Sequence, residues 1–317
     1  DYRIMGGADG PPAFRAYQRL QAAGELAVRV WMQIPGERLD EAVALGLRTG
    51  MGDDRLRVGH VKMFADGGQG ARTAWMLEPY EDSGECGMPI TPMDEIAQAV
   101  ERADGAGLAV AIHAIGDRTN RELIGVFERT LEGRREARSA PPAAPHRIEH
   151  VQMIRPGDVA RLAELDVVAS VQPIHCPDDI PMVESSVGSR ARFAYRFRDL
   201  QEAGVKMAFG SDCPVADPNP ILGIHAAVTR RTGGGSPPGG WYPEQRLSAA
   251  EAVWGFTMGG AQATGREGHL GSIAPGRLAD LVVLDRDILA LAQTAPMEIA
   301  QAEVVMTVFD GRIVHER

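Results

Sequence analysis

The sequence predicts an α/β chain: a (β/α)8 barrel of the TIM type, with about six of the eight βα units, followed by part of a small β-sandwich. Three observations predict it. Short apolar runs alternate with amphipathic helical stretches, the pattern of parallel βα units. Lys62, His113, His150 and Asp212 each fall within or at the C-terminal end of a different strand-like run, and a barrel gathers its chemistry at that end. After about residue 266 the βα period stops and a turn-rich, β-patterned tail begins. A doubly wound sheet competes, but no Gly-x-Gly-x-x-Gly follows a strand, so a dinucleotide site has no support.

The strand-like runs are 26–34, 61–65, 108–114, 147–151, 167–171 and 205–210. Between them, Thr91-Pro92 followed by Asp94 and Glu95 starts a helix whose stripe is Ile96, Ala99, Val100 and Ala103. Leu123, Val126, Phe127 and Leu131 repeat that pattern, and Pro156 opens a helix carrying Val159, Leu162 and Ala163. Phe193, Phe197 and Leu200 mark another helix, ending near Gly204, and Ser248 with Glu251 forms a capping box ahead of Val253 and Phe256. In the tail, Leu281–Leu284 reads as a strand, and Val304–Phe309, Asp310-Gly311 and Arg312–His315 read as a hairpin with a two-residue turn. The barrel domain is placed at 1–265, as barrel strands three to eight, and the C-terminal sandwich part at 266–317. Two more units would need on the order of 80 residues upstream, given a typical barrel of about 250. Asp1-Tyr2-Arg3 shows neither an initiator Met nor a basic-plus-apolar signal, so the chain is expected to begin partway through a longer protein.

With 317 residues, 44% apolar, and 33 Lys+Arg against 43 Asp+Glu, the chain carries a formal charge of −10. That excludes a disordered or fibrous chain. It also argues against nucleic acid or an anionic membrane as partner, since both need a basic face. The dense basic run Arg134-Arg135-Glu136-Ala137-Arg138 reads as solvated surface. Cys86, Cys176 and Cys213 are odd in number and far apart, with no Cys-x-x-Cys; neither a disulfide framework nor a thiolate zinc site is indicated. No run of about 18 apolar residues predicts a membrane span. The expected location is the cytoplasm and the expected partner a small-molecule substrate; a homodimer stays open.

Only Lys62 and Lys206 are lysines among the 33 Lys+Arg residues. A lysine kept where arginine serves every generic charge is a candidate for chemistry a guanidinium cannot do. Lys62 sits inside an apolar strand, where burial costs heavily unless it is paired or neutralised. Taken singly, His113 and His150 read as hydrogen-bonded core residues before ligands, and Asp212 equally as a turn cap. Together the four form a constellation whose imidazoles and carboxylate suit a divalent metal such as zinc.

In order, Lys62, then His113-Ala114-Ile115-Gly116-Asp117, then Ile148-Glu149-His150-Val151-Gln152, then Gly210-Ser211-Asp212 resemble the amidohydrolase superfamily of metal-dependent hydrolases. Within it they resemble the amidohydrolase-3 branch, with its YtcJ-like and N-substituted formamide deformylase-like members. Further matching segments are Asp66–Ala74, Pro79–Asp82, Gln172–His175 with Asp179, Asp217-Pro218, Ala227–Arg231 and Gly271–Leu281. The resemblance implies a divalent metal, zinc by expectation, bound by His113 and His150, with Lys62 bridging two ions as an N-carboxylated lysine. It implies that Asp212 is a ligand and the general base, then acid. The reaction it implies is hydrolysis of a non-peptide C–N bond, amide or formamide in type, by a metal-activated water. Phosphoester hydrolysis on the same scaffold ranks lower, since no phosphate clamp is evident.

One departure stands out. The family places a His-x-His pair at the end of the first barrel strand, and none occurs in these 317 residues; His60 sits in the wrong place. The alternative reading is therefore a truncated, non-catalytic remnant that keeps the fold. Whichever reading holds, this chain by itself is expected to bind at most one metal, weakly, through His113 and His150, with Lys62 uncarboxylated and paired with Asp212. His175 and Asp179 would face the mouth of the site as substrate contacts. Asp66, Arg72 and Tyr80 are further substrate-contact candidates, with local loop hydrogen bonding as the competing reading. Asp117 is expected to orient neighbouring backbone, and Cys213 to pack.

Overall fold

The computed structural model describes residues 10–317; Asp1-Tyr2-Arg3 lies outside the described residues. Six parallel strands form one curled sheet in chain order: β1 Val30–Pro35, β2 Leu56–Phe64, β3 Val110–Ala114, β4 His146–His150, β5 Val167–Val171 and β6 Met207–Phe209. This is six-eighths of a barrel wall, with helices packed on its outer face. β3, β4 and β5 are buried almost throughout, as strands covered on both faces must be. The helix Met93–Gly105 buries Ile96, Val100 and Ala103, and Asp117–Ala137 buries Leu123, Val126, Phe127 and Leu131, so both predicted stripes face the sheet. Ser248 and Glu251 form the capping box of the helix Ala249–Trp254. No described helix is long and apolar enough to cross a membrane.

Three local readings change. β2 begins at Leu56, five residues before the apolar run that signalled it, because pairing with β1 carries Arg57 and His60 into the sheet. The helix expected from Phe193 splits into a 3-10 turn, Gly188–Phe193, and a helix, Phe197–Glu202. Tyr195 between them is left-handed, with φ at 52°. Arg134 is not solvated: its guanidinium pairs with Asp104, which also meets His146 Nε2 at 3.0 Å. The rest of that basic run is exposed.

The tail forms a three-stranded antiparallel sheet of β7 Leu281–Leu284, β8 Val304–Phe309 and β9 Arg312–Glu316. Asp310 and Gly311 both take positive φ, as a two-residue hairpin turn of the primed type demands. Arg29, just before β1, ties this sheet to the barrel through Asp280 at 2.5 Å, and Arg29 and Arg55 flank the Phe309 ring at 4.9 Å.

β1 and β6 end the sheet and face each other across a groove of about 660 Å³, lined by Trp31 on one side and Phe209 on the other. Beneath it lie buried polar groups. His60 Nδ1 accepts from the Trp31 indole at 2.9 Å, and Nε2 donates to the Pro145 carbonyl at 3.0 Å. That tautomer is neutral. Burial, and then the Arg147 charge, hold the His60 pKa well below its ordinary value. The unfolded chain therefore takes up a proton below about pH 6.5 that the folded chain refuses, and stability falls as pH falls. Relative to His60→Asn, the wild-type chain is expected to lose about 1.4 kcal/mol per pH unit below that point. Urea unfolding at pH 7.5 and 5.5 checks it, and parallel stability curves for the two chains would refute it.

Candidate functional site

The C-terminal ends of the strands open on a cavity of about 490 Å³ lined by Lys62, His113, His150, His175, Asp179 and Asp212, among others. They arrive from β2, β3, β4, the segment after β5, and the loop after β6. Lys62 and Phe64 alternate onto one face of β2. The register sets Phe64 beside His113, with ring centroids 5.4 Å apart. Lys62 is 3% exposed, and its Nζ lies 4.6 Å from the Phe64 ring centroid, a cation–π contact that offsets part of the burial cost.

His150 follows Glu149, which is buried and ion-paired with Arg147 at 3.1 Å. Strict alternation would send His150 to the opposite face. Its φ of 77° turns the chain left-handed instead and brings its ring to 4.6 Å from His113, edge to face. Asp212 is also left-handed, with φ at 58°. Backbone strain of this kind costs about 1–3 kcal/mol and collects at functional sites. His150 Nδ1 lies 2.7 Å from the Gln172 amide oxygen, whose orientation is fixed by its NH2 donating to the Ser170 carbonyl at 3.2 Å. An amide oxygen only accepts, so Nδ1 carries the proton and the lone pair sits on Nε2. His175 stacks 6.5 Å from His150 and donates from Nε2 to the Ser211 carbonyl at 3.2 Å.

Asp66, Arg72 and Tyr80 do not line this cavity. Asp66 is fully buried and accepts from the Trp75, Ile115 and Gly116 amides and the Thr119 hydroxyl at 2.7–3.0 Å. Burial pushes its pKa up to about 6 against those four donors, so it is ionised at neutral pH. Gly116 approaches the Trp75 carbonyl so closely that a Cβ would lie 1.9 Å from its oxygen. Only glycine lets these two loops meet there. Arg72 grips both oxygens of Asp82, and Tyr80 donates to the Ala74 carbonyl at 2.8 Å. The local hydrogen-bonding reading describes all three. Asp117 accepts from the Leu77 amide at 2.8 Å and pairs with Arg155 at 2.6 Å. Cys213 is exposed rather than packed, because it follows Asp212 out of the barrel. Lys206 is an ordinary surface lysine paired with Asp166.

Sequence reasoning passed over the polar web in the cavity wall. Gln152 donates to Gln69 at 3.0 Å and to Asp179 at 3.3 Å, and the Tyr195 hydroxyl donates to Asp179. Gln69 and Gln152 lie inside matching motifs, but glutamine carries no rare chemistry to single it out. Burial raises the Asp179 pKa, which the Tyr195 hydroxyl opposes.

Among the described residues no group of three or more His, Cys, Asp or Glu is arranged to hold a metal ion. The donors present fit a divalent ion in part: two converging imidazoles, one with its tautomer fixed by an amide, as metal-binding histidines require.

The sequence profile of the Amidohydrolase family matches residues 3–315. The chain is 38% identical over 237 residues to Protein LONG AFTER FAR-RED 3 of Arabidopsis thaliana, covering 72% of this chain and 39% of that one. It is 29% identical over 306 residues to YtcJ of Bacillus subtilis and 26% over 313 residues to the N-substituted formamide deformylase of Arthrobacter pascens, spanning 55% of each. Among solved structures, an uncharacterized metal-dependent hydrolase from Pyrococcus horikoshii superposes with a TM-score of 0.77 at 33% identity, covering 89% of this chain and 56% of that one. The chain thus spans about half the length, or less, of these relatives. Its sequence from end to end and its fold agree: the chain belongs to the amidohydrolase family.

Proposed function

We propose that this chain carries part of the active site of a metal-dependent hydrolase that cleaves a non-peptide C–N bond, amide or formamide in type. The observation that carries the reading is the convergence of Lys62, His113, His150 and Asp212 on one cavity from separate βα units. His113 and His150 would hold the ion, zinc by expectation, and Lys62 would join them as a carboxylated ligand only where further ligands from outside these residues complete the site. A bound ion would supply Lewis acidity at the substrate carbonyl and acidify a water toward neutral pH. Asp212, half-exposed at the mouth, takes a proton from the attacking water and returns it to the leaving nitrogen. His175 and Asp179 contact the substrate, while Asp66, Arg72 and Tyr80 hold the wall behind it. The name of the formamide deformylase relative supports the bond type.

A second reading, a fold-retaining remnant that binds no metal, is favoured by the absence of a metal-ligand cluster among the described residues. Metal analysis after zinc loading decides between them, together with formate release from an N-substituted formamide. One ion per chain, held through His113 and His150, is expected. No bound ion and no formate would leave the remnant. Two tightly held ions, or a carboxylated Lys62, would show that further ligands enter from outside these residues.

A further inference from the structure

A further cavity, of about 530 Å³, lies on the outer side of the barrel and shares no lining residue with the cavity of Lys62, His113 and His150. Its walls are the end of the helix Pro220–Thr229, the start of Ala249–Trp254, and the helix Ile288–Thr294. Arg231 and Arg246 line it together with Leu247, Leu289 and Ala292, and its size suits a small molecule.

The charges there are unusual for this chain. Several half-buried arginines elsewhere meet carboxylates: Arg29 with Asp280, Arg155 with Asp117, Arg161 with Glu128, Arg198 with Glu251. Among the described residues, Arg230, Arg231 and Arg246 make no ion pair, although the chain carries a net −10. Arg230 is fully buried and donates to the Trp241 and Tyr195 carbonyls, and Arg246 donates to the Gly239 carbonyl. Arg231 Nε and Arg246 Nε are buried and have no hydrogen-bond partner. Burial, then Arg231 and Arg230, push the Arg246 pKa down. A guanidinium whose nearest charges repel it, facing a cavity with apolar walls, is complementary to an anion carrying an apolar body.

We propose that this cavity binds a small organic carboxylate with an apolar chain, the anion held by Arg231 and Arg246 and the chain laid along Leu247, Leu289 and Ala292. The proposal does not depend on the metal cavity or on hydrolysis.

Calorimetric titration of the chain with octanoate tests it, with butyrate, 1-octanol and inorganic phosphate as comparison probes. Octanoate is expected to bind one per chain. Each methylene removed toward butyrate weakens binding by up to about fourfold. Arg231→Gln or Arg246→Gln is expected to weaken octanoate about 10–100-fold, the worth of one charge-assisted hydrogen bond. Octanol binding as tightly as octanoate would remove the anion from the proposal. Phosphate binding as tightly would remove the apolar chain. Either overturns it, as does an octanoate affinity unchanged in the Arg231→Gln, Arg246→Gln double variant or no saturable binding at all. The four-probe comparison on the wild-type chain is decisive even where a variant fails to fold.

Discussion

Replacing Asp66 by alanine is expected to bring the chain close to unfolding. The carboxylate is the shared acceptor of three backbone amides and one hydroxyl, drawn from loops about 50 residues apart in sequence. Each buried donor left without a partner costs about 1–3 kcal/mol. Allowing for a water that refills part of the space, alanine is expected to cost about 3–6 kcal/mol, against a typical total stability of about 5–15. Asparagine should do better. With its amide oxygen where Oδ2 now stands, it still accepts from Trp75, Gly116 and Thr119, and only its NH2 opposes the Ile115 amide. The expected loss is then about 1–3 kcal/mol. It also removes a buried charge that burial already disfavours, which pulls the loss toward the lower end. Urea unfolding followed by tryptophan fluorescence gives both values. An alanine variant within about 1 kcal/mol of wild type would mean that the Asp66 knot is not what joins the two loops.

That knot shows where sequence reading stops. The strand order was legible because the βα period admits few alternatives, and the helix stripes Ile96-Val100-Ala103 and Leu123-Val126-Phe127-Leu131 needed only the 3.6-residue repeat. Lys62, His113, His150 and Asp212 stood out because polar groups at the ends of apolar strands are costly without a use. The partners of a carboxylate were not legible. Asp66 could as well have faced a substrate as three amides, and no local pattern names a donor 50 residues away. Nor could the direction of His150 be read, since alternation points it the wrong way and only the left-handed backbone corrects it. The early start of β2 escaped for a related reason: Arg57, Gly59 and His60 look like loop, but pairing with β1 outweighs their local preference. Arg134 looked solvated because its partners, Asp104 and His146, come from other elements.

The largest effect expected on binding concerns the two imidazoles. If His113 and His150 hold the ion, removing either leaves a single imidazole of that pair, and His113→Ala or His150→Ala should each weaken cobalt(II) binding by more than about 100-fold. The graded variants discriminate better. Gln172 touches no proposed metal position, but it accepts from His150 Nδ1 at 2.7 Å and so keeps the Nε2 lone pair available. Gln172→Ala lets the ring turn and the proton move, and is expected to cost about 10–100-fold, the usual effect of losing an outer partner of a ligand. His175 lies 6.5 Å from His150, farther than the 4.6 Å between His113 and His150, so His175→Ala should cost less than about tenfold. The cobalt visible absorption band, titrated at pH 7.5 for all four variants, yields the order His150→Ala and His113→Ala worst, Gln172→Ala intermediate, His175→Ala mildest. An affinity untouched by His150→Ala would exclude this imidazole pair as the metal hold. A His175→Ala loss as large as that of His150→Ala would move the hold from the His113–His150 pair to the stacked His150–His175 pair.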